Sequence, residues 1–396
     1  MRILQVVEAC GGGVATHLKD LLLGLATRGH EVDLMYSPLR MDGNFEKFID
    51  EIGRSDVPKI RNYRWHCIRN VNLFYDYEAF RELYSFILSN GPYDVIHGHS
   101  SKGGFLGRLA GTLADSKPAR VYTPHAIVTL SGEGSRVRKS AYFLAEAMAG
   151  RFITDALIAV SREESDHVLS NRICKEDVVF LVENGIDPDS FRLKGESFDR
   201  ESIRRDIGAN SDNVVVLFVG RLCYQKAPDN LVKAFNLLNG CEWRLVIVGD
   251  GELYEGLAVM VGQLGLQERV SLLGYRQDVA QLMAAADIFC LPSRFEGMPY
   301  VLLEAMAAGK PIVTTEVCGA TSLVIDGRGG YVVPHDRLDM LAERLNRLSD
   351  KELRERFGKY NLERVKSFTV ERMVEETLKV YEIALKRRRM NKSRII

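Results

Sequence analysis

The chain has 396 residues, more than one ordinary core accommodates and enough for two domains of usual size. Its 53 Lys and Arg balance its 53 Asp and Glu, and hydrophobic residues make up 46%; this is the composition of a soluble globular enzyme, with no overall attraction to nucleic acid. The seven cysteines are dispersed and contain no Cys-x-x-Cys pair, so neither a disulfide framework nor a zinc site is suggested and a reducing cytoplasm is expected.

Arg2-Ile3-Leu4-Gln5-Val6-Val7 predicts a buried strand that begins without a signal-peptide pattern. Gly11-Gly12-Gly13 then leads into a helix carrying Leu18, Leu21, Leu22 and Leu25, as in the first crossover of a doubly wound fold, where backbone amides approach a ligand. The glycines do not spell Gly-x-Gly-x-x-Gly, and no acidic residue in dinucleotide-binding context follows the next strand, 31–36, so no nicotinamide or flavin is expected. Further on, Asp94-Val95-Ile96-His97-Gly98-His99 ends a strand before Ser100-Ser101-Lys102-Gly103-Gly104 and another helix. Polar residues at the carboxyl end of a parallel strand point into the crevice, so His99, Ser101 and Lys102 are candidate acceptor contacts, with hydrogen-bonded turn residues as the competing reading. Val121-Tyr122-Thr123-Pro124-His125 is a further strand end.

Arg136, Arg138, Lys139 and Arg151 punctuate a helix with Tyr142, Phe143, Leu144, Met148 and Phe152. Such a face suits an anionic membrane surface or a lipid diphosphate, or else is a core helix with solvated charges. The most apolar stretch, 141–160, is interrupted by Glu146, Arg151 and Asp155 and is not a membrane span. A strand at 156–161 and another at 178–182 lead to Asn184-Gly185, a turn read as the domain junction. The polar segment 191–213, with one short helical stretch, is read as the linker.

Val214-Val215-Val216-Leu217-Phe218-Val219 starts a fresh buried strand, the first of a second doubly wound domain. It ends in Gly220-Arg221-Leu222, with Lys226 nearby; two cations after a strand end suit a diphosphate, Arg by bidentate hydrogen bonding and Lys as a point charge. Strands at 244–248 and 270–273 end in Gly249-Asp250-Gly251 and Gly274-Tyr275-Arg276. The apolar run 286–291 is closed by Pro292-Ser293 and followed by Phe295-Glu296-Gly297-Met298-Pro299-Tyr300-Val301-Leu302-Leu303-Glu304 and a helical pattern that Gly309 and Pro311 stop. Glu296 in the loop and Glu304 in the second or third turn flank a helix N-terminus whose unpaired N–H groups favour an anion, a seat for a diphosphate. Helices are expected at 338–348, 351–368 and 370–386, before a basic tail, 386–389 with Lys392 and Arg394, that either binds anionic lipid or is solvated.

The stretch from Glu296 to Glu304 resembles the retaining nucleotide-sugar glycosyltransferases of family 4, of the bacterial surface-polysaccharide type, whose signature is two glutamates separated by seven residues; Gly297, Pro299, Ala305, Gly309 and Pro311 match as well. Through several ordered motifs the resemblance covers nearly the whole chain. It implies an α/β GT-B architecture, two doubly wound Rossmann-like domains facing an interdomain cleft: 1–190 with the returning helix in 370–396 for the acceptor, 191–369 for the nucleotide-sugar donor. It implies a hexosyltransferase-type reaction moving a sugar from a nucleoside diphosphate sugar, UDP favoured, to a hydroxyl of a glycan or polyprenyl-diphosphate-linked acceptor in lipopolysaccharide-like surface polysaccharide synthesis. The setting expected is cytoplasmic or peripheral on the inner face of the cytoplasmic membrane, touching anionic lipid but no nucleic acid.

Residue by residue, the resemblance sets Gly12 and Gly13 against the donor phosphates, His125 against the donor sugar, and Arg221 and Lys226 against the leaving diphosphate. It sets Gly249 beside the nucleotide, Tyr275 and Arg276 at the base, and Gly297, Met298, Pro299, Val301 and Leu302 along the donor loop. Glu296 orients the sugar and Glu304 holds the ribose hydroxyls. Arg136 and Arg138 join His99, Ser101 and Lys102 as acceptor candidates. Front-face transfer is implied, the departing phosphate helping to take the acceptor proton, and a Glu296 nucleophile is the less favoured mechanism. No cofactor besides the donor and no metal is expected, because no Asp-x-Asp donor motif is read and the two cations with the helix N-terminus can neutralise the diphosphate. Gly319-Ala320-Thr321-Ser322 departs from the family in lacking an acidic residue, which leaves contacts near the sugar or domain closure open. A GT-B phosphorylase or epimerase and a nonenzymatic nucleotide-sugar sensor are the alternatives.

Overall fold

A computed structural model describes residues 1–54, 60–130, 136–240 and 242–393. They group into two compact units, Met1–Gly185 together with the chain from Val370 onward, and Ile186–Thr369.

In the first unit the strands β1 (Arg2–Val7), β2 (Glu31–Tyr36), β3 (Ile60–Arg64), β4 (Val95–His99), β5 (Ala119–Thr123), β6 (Ala156–Ala159) and β7 (Val179–Leu181) pair in the order β3-β2-β1-β4-β5-β6-β7. All pairings are parallel, and the register sets Val7 beside His99 and His99 beside Thr123. Period-two alternation divides the core between the sheet's two faces. Ile3 and Val7 pack with Leu18, Leu21 and Leu22 of α1 (Gly13–Thr27) and with Phe45 and Phe48 of α2 (Gly43–Arg54). Leu4 and Val6 pack with Leu83 of α3 (Leu73–Asn90) and Leu106 of α4 (Ser100–Leu113). The next helices are α5 (Arg136–Phe152) and α6 (Arg162–Ser170).

The acidic residues that interrupt 141–160 are internal partners. Glu146 accepts from Arg108 Nη2 at 3.2 Å and from the Tyr122 hydroxyl at 3.0 Å, and Asp155 pairs with Arg120 at 2.8 Å. Among the described residues no helix is long and apolar enough to cross a membrane, and the six cysteines described form no disulfide with one another, Cys241 lying outside the described residues.

The second unit opens with α7 (Pro188–Glu196) and α8 (Arg200–Asp206), where the sequence reading expected a linker. Its polar residues are structural: Asp199 caps α8, accepting from the Glu201 and Ser202 amides. Arg204, only 1% exposed, donates to the carbonyls of Ala285, Asn210 and Asn213 and pairs with Asp287 at 3.0 Å. A polar segment reads as linker until the carbonyls that satisfy it are brought in from elsewhere. The sheet follows, with β8 (Val214–Val219), α9 (Pro228–Phe235), β9 (Trp243–Val248), α10 (Tyr254–Gln263), β10 (Val270–Leu272), α11 (Val279–Ala285), β11 (Ile288–Leu291), α12 (Tyr300–Ala307), β12 (Ile312–Thr315), α13 (Ala320–Leu323) and β13 (Gly330–Val333). The strand order is β10-β9-β8-β11-β12-β13, again all parallel. After α14 (Leu338–Arg347) and α15 (Lys351–Val365), the final helix α16 (Val370–Ser393) returns to the first unit, where Val374 and Tyr381 join the face already holding Leu18 and Leu22. Part of the basic tail is packed there: Arg387 lies over the Phe180 ring and 3.8 Å from Asp177. Arg394 and the Lys392 side chain lie outside the described residues.

Candidate functional site

In an open parallel sheet the strand order reverses at one point, and the loops that leave the carboxyl ends of the strands there diverge and form a crevice. In the second unit the reversal falls between β8 and β11. The loop after β8 carries Arg221 and Lys226, and the loop after β11 carries Ser293 to Pro299. One ion pair joins them, Lys226 Nζ lying 2.6 Å from Glu296 Oε1, and the Ser293 hydroxyl donates to the same oxygen at 2.6 Å. Glu296 is only 6% exposed, so both partners are needed to hold its charge away from water. Gln225 Nε2 donates to Phe295 O at 3.0 Å, and the Arg294 amide donates back to Gln225 O at 2.8 Å. Arg221, by contrast, is exposed and forms no ion pair among the described residues.

Glu304 sits in the second turn of α12, partly buried. Burial pushes its carboxyl up to about 7, against the opposing pull of the Lys226 charge. Pro299 stands at the N-cap of α12 and supplies no side-chain cap, which leaves this helix end suited to an anion. Gly319, at φ +72°, cradles the Glu296–Gly297 turn: a Cβ there would lie 2.6 Å from Gly297 O and from Met298 Cα. That support for the loop is what the glycine-rich stretch supplies. Met298 and Leu302 are buried in the core, and the Leu302 amide bonds to Pro299 O at 3.1 Å. Gly249, at φ +136°, would drive a Cβ to 2.0 Å from Gly220 O, so only glycine lets β9 end against the β8 loop; its N–H is taken by Gly274 O at 2.8 Å. Tyr275 exposes its ring while its amide donates to Asp250 Oδ1 at 3.1 Å, and Arg276 is held by Asp278 at 2.5 Å. The chain does contain one Asp-x-Asp, Asp187-Pro188-Asp189, and it is a helix cap: Asp187 Oδ1 accepts from the Ser190 amide at 2.9 Å.

In the first unit the reversal falls between β1 and β4, and here four histidines meet. His99, expected at the acceptor, is fully buried beneath His125, the Nδ1 to Nε2 distance being 3.1 Å. The amide oxygen of Gln5 can only accept, so His99 Nε2, 2.7 Å away, carries its hydrogen and His99 Nδ1 accepts from His125. The same direction runs on: Gln5 Nε2 donates to the Tyr381 hydroxyl (3.0 Å), which donates to His97 Nδ1 (2.7 Å), whose Nε2 donates to Thr123 Oγ1 (2.8 Å). Burial holds His97, His99 and His125 well below the ordinary imidazole value and lowers His17 to about 4, so all four are neutral near pH 7. This chain leaves Nδ1 of His125 as the acceptor. His17 Nδ1 donates to Asn184 Oδ1 at 3.1 Å, which gives the Asn184-Gly185 turn a role inside the unit.

Lys102, a second acceptor candidate, donates to Ile68 O at 2.8 Å, to Asn70 O at 2.6 Å and to Asp76, so its three donors are consumed in fixing the start of α3. Ser101 lies in the first turn of α4 and is partly buried. The Gly12 amide, expected to face the donor, donates to Asp42 Oδ2 at 2.7 Å; Gly13 begins α1. Arg138 stacks on Tyr142 on an exposed face of α5, and the Arg136 side chain lies outside the described residues. Sequence reasoning missed His17, Gln5, Ser293 and Glu164. A histidine on the leucine face of α1 and a glutamine inside an apolar strand were the available signals, since buried polar groups require partners.

The chain matches two family models, Glycosyltransferase Family 4 over residues 11–190 and Glycosyl transferases group 1 over residues 199–364. It is 31% identical to the UDP-Gal:alpha-D-GlcNAc-diphosphoundecaprenol alpha-1,3-galactosyltransferase of Escherichia coli, over 71% of this chain and 73% of that protein. It is 30% identical to a glycosyltransferase of Methanocaldococcus jannaschii over 94% and 95%. Among solved structures it resembles the Anabaena HepE protein in complex with UDP, with a TM-score of 0.76 at 22% identity over 96% of this chain and 100% of that one. A similar likeness holds for WaaG, a glycosyltransferase involved in lipopolysaccharide biosynthesis, with a TM-score of 0.75 at 20% identity over 95% and 98%.

The raised Glu304 carboxyl has a consequence for stability. With a folded value of about 7 above an ordinary 4.5, its contribution is fully present below about 4.5 and is lost as pH rises through about 7. Glu304→Gln is therefore expected to match the wild type near pH 5 and to exceed it by about 1–3 kcal/mol at pH 8. Urea unfolding of both proteins at the two pH values measures this, and an equal gap at both would refute it.

Proposed function

Since the chain belongs to the glycosyltransferases of family 4 and has their two-sheet GT-B fold, an enzyme of polysaccharide biosynthesis, we propose that it transfers a sugar from a UDP-sugar, with retention and without a metal, to a hydroxyl of a lipid-linked glycan. The observation that carries this reading is the Lys226–Glu296 pair, together with Arg221, which has no ion pair among the described residues, and the N-terminus of α12. As the bond from the sugar to the diphosphate breaks, charge develops on the phosphate oxygens. Arg221, Lys226 and the helix end are preorganised positive groups for that charge. Lys226, already bonded to Glu296, couples the leaving group to the residue that orients the sugar. Glu304 takes the ribose hydroxyls, and His125 offers Nδ1 to a sugar hydroxyl. In front-face transfer the departing phosphate helps remove the acceptor proton.

A UDP donor is supported by the galactosyltransferase relative, whose name specifies UDP-Gal, and by the UDP-bound structural neighbour. That relative's named acceptor is a diphosphoundecaprenol-linked sugar, and two exposed apolar surfaces of the first unit suit the lipid it implies. On α5, Val137, Leu144, Met148 and Phe152 are exposed beside Arg138 and Lys139; at the start of α3, Val71, Leu73, Phe74, Tyr75 and Tyr77 are exposed. Both helices begin at the carboxyl edge of the sheet, where His125 lies, so peripheral contact with an anionic bilayer would bring the acceptor to this edge.

Release of UDP from a UDP-sugar is expected only when acceptor is present, which separates transfer from a sensor, and EDTA should leave the rate intact. Arg221→Ala and Lys226→Ala should each lower turnover by roughly two to three orders of magnitude; a near-wild-type rate in either folded variant would remove the diphosphate assignment. In calorimetric titration with UDP, Glu304→Gln should weaken binding by about 1.5–3 kcal/mol, whereas Glu296→Gln should bind UDP normally yet transfer poorly. Equal binding losses would show the roles to be misassigned. Flotation with vesicles containing phosphatidylglycerol should fall on joint replacement of Leu144 and Met148 by Ser, and unchanged flotation would take α5 off the membrane.

A further inference from the structure

His125 and Ala126 are consecutive non-glycine residues in the left-handed region, at φ +55° and +84°. Side chains rarely hold that conformation, and two in succession persist only where the surroundings over-determine them. The His125 ring is held by His99 and His17, and the backbone of the turn is held by one carboxylate. Glu164, in the first turn of α6 and 0% exposed, accepts from the amides of Ala126 (3.0 Å) and Ile127 (2.8 Å) through Oε1 and from the Val160 amide (2.9 Å) through Oε2. Its own amide donates to the Ser161 hydroxyl that caps α6, at 3.2 Å. The end of β6 and the cap of α6 thus fix the carboxylate, and the carboxylate fixes the turn after β5.

We propose that Glu164 is the positioning residue of the donor-sugar site: it touches no substrate and acts by holding the strained turn that aims the His125 imidazole. The proposal rests on the assignment of His125 above. The chemistry explains why the group is a carboxylate. Three N–H donors converge on it, and the two oxygens of a carboxyl can meet all three as acceptors, whereas an amide of the same shape presents an NH₂ to one of them. A glutamate kept only to hold the fold would show its loss in unfolding, without a specific link to His125.

The test compares Glu164→Gln, Ala126→Gly, the two combined, and Glu164→Gln in a His125→Ala background, each checked for cooperative thermal unfolding. Glu164→Gln should lower kcat by about 100-fold, the scale of an ångström-sized misplacement, with UDP affinity unchanged. Ala126→Gly removes the Cβ that opposes the turn, so it should recover at least about tenfold of that loss in the double variant. In the His125→Ala background Glu164→Gln should add nothing. Amide hydrogen exchange at Ala126 and Ile127, slow in the wild type, should become fast in Glu164→Gln, a readout that needs no turnover. Unchanged exchange with unchanged kcat, or a loss of full size in the His125→Ala background, would overturn the proposal. Wild-type turnover in His125→Ala alone would instead strike at the His125 assignment, a failure seen separately.

Discussion

The reversal of strand order in each parallel sheet is the constraint from which the sites follow. A strand's carboxyl end must be continued by a loop, and where successive connections run to opposite sides, between β1 and β4 and between β8 and β11, the loops part. The groups found at those points are the polar ones of otherwise apolar segments: His99 and His125 in one unit, Arg221, Lys226 and Glu296 in the other. The hydrophobic faces hold the sheets together, but they also fix where the polar ends can be.

Burial makes the polar groups at these points interdependent. Glu296 is nearly inaccessible, and removing Lys226 or Ser293 would leave a carboxylate short of a partner; a buried pair contributes little net stability, yet breaking it is costly. Its value lies in geometry, since the pair keeps two independent loops in one register and presents a cation already oriented. Glu304, without a hydrogen-bonded cation among the described residues, shows the opposite outcome. Desolvation wins, and its carboxyl rises to about 7.

In the first unit the equivalent device is neutral. A one-directional chain of hydrogen bonds from His125 to Thr123, running through His99, Gln5, Tyr381 and His97, assigns the ring hydrogens on the way. Tyr381 belongs to the returning helix α16, so that helix helps set the tautomer of His97, 284 residues earlier in the chain.

Much of this was legible in the chain itself. Continuous apolar runs such as 214–219 could only be strands buried on both faces, the glycine and proline stops bounded the helices, and Glu296, Lys226 and Arg221 stood out because charges at apolar strand ends need a purpose. The family resemblance read from Glu296 and Glu304 likewise agrees with the family models and relatives the chain matches. What periodicity cannot encode is which distant polar group satisfies which. Segment 191–213 looked like a linker because the carbonyls that bury Arg204 come partly from Ala285, and Lys102 reads equally as acceptor contact or hydrogen-bonded turn residue because Asp76 and the carbonyls it holds lie more than twenty residues away. Glu164 carried no local signal at all. A glutamate in a first helical turn is an ordinary sequence feature, and only the folded chain brings three amides to its carboxylate, because hydrogen-bond partners of buried groups are chosen by tertiary proximity.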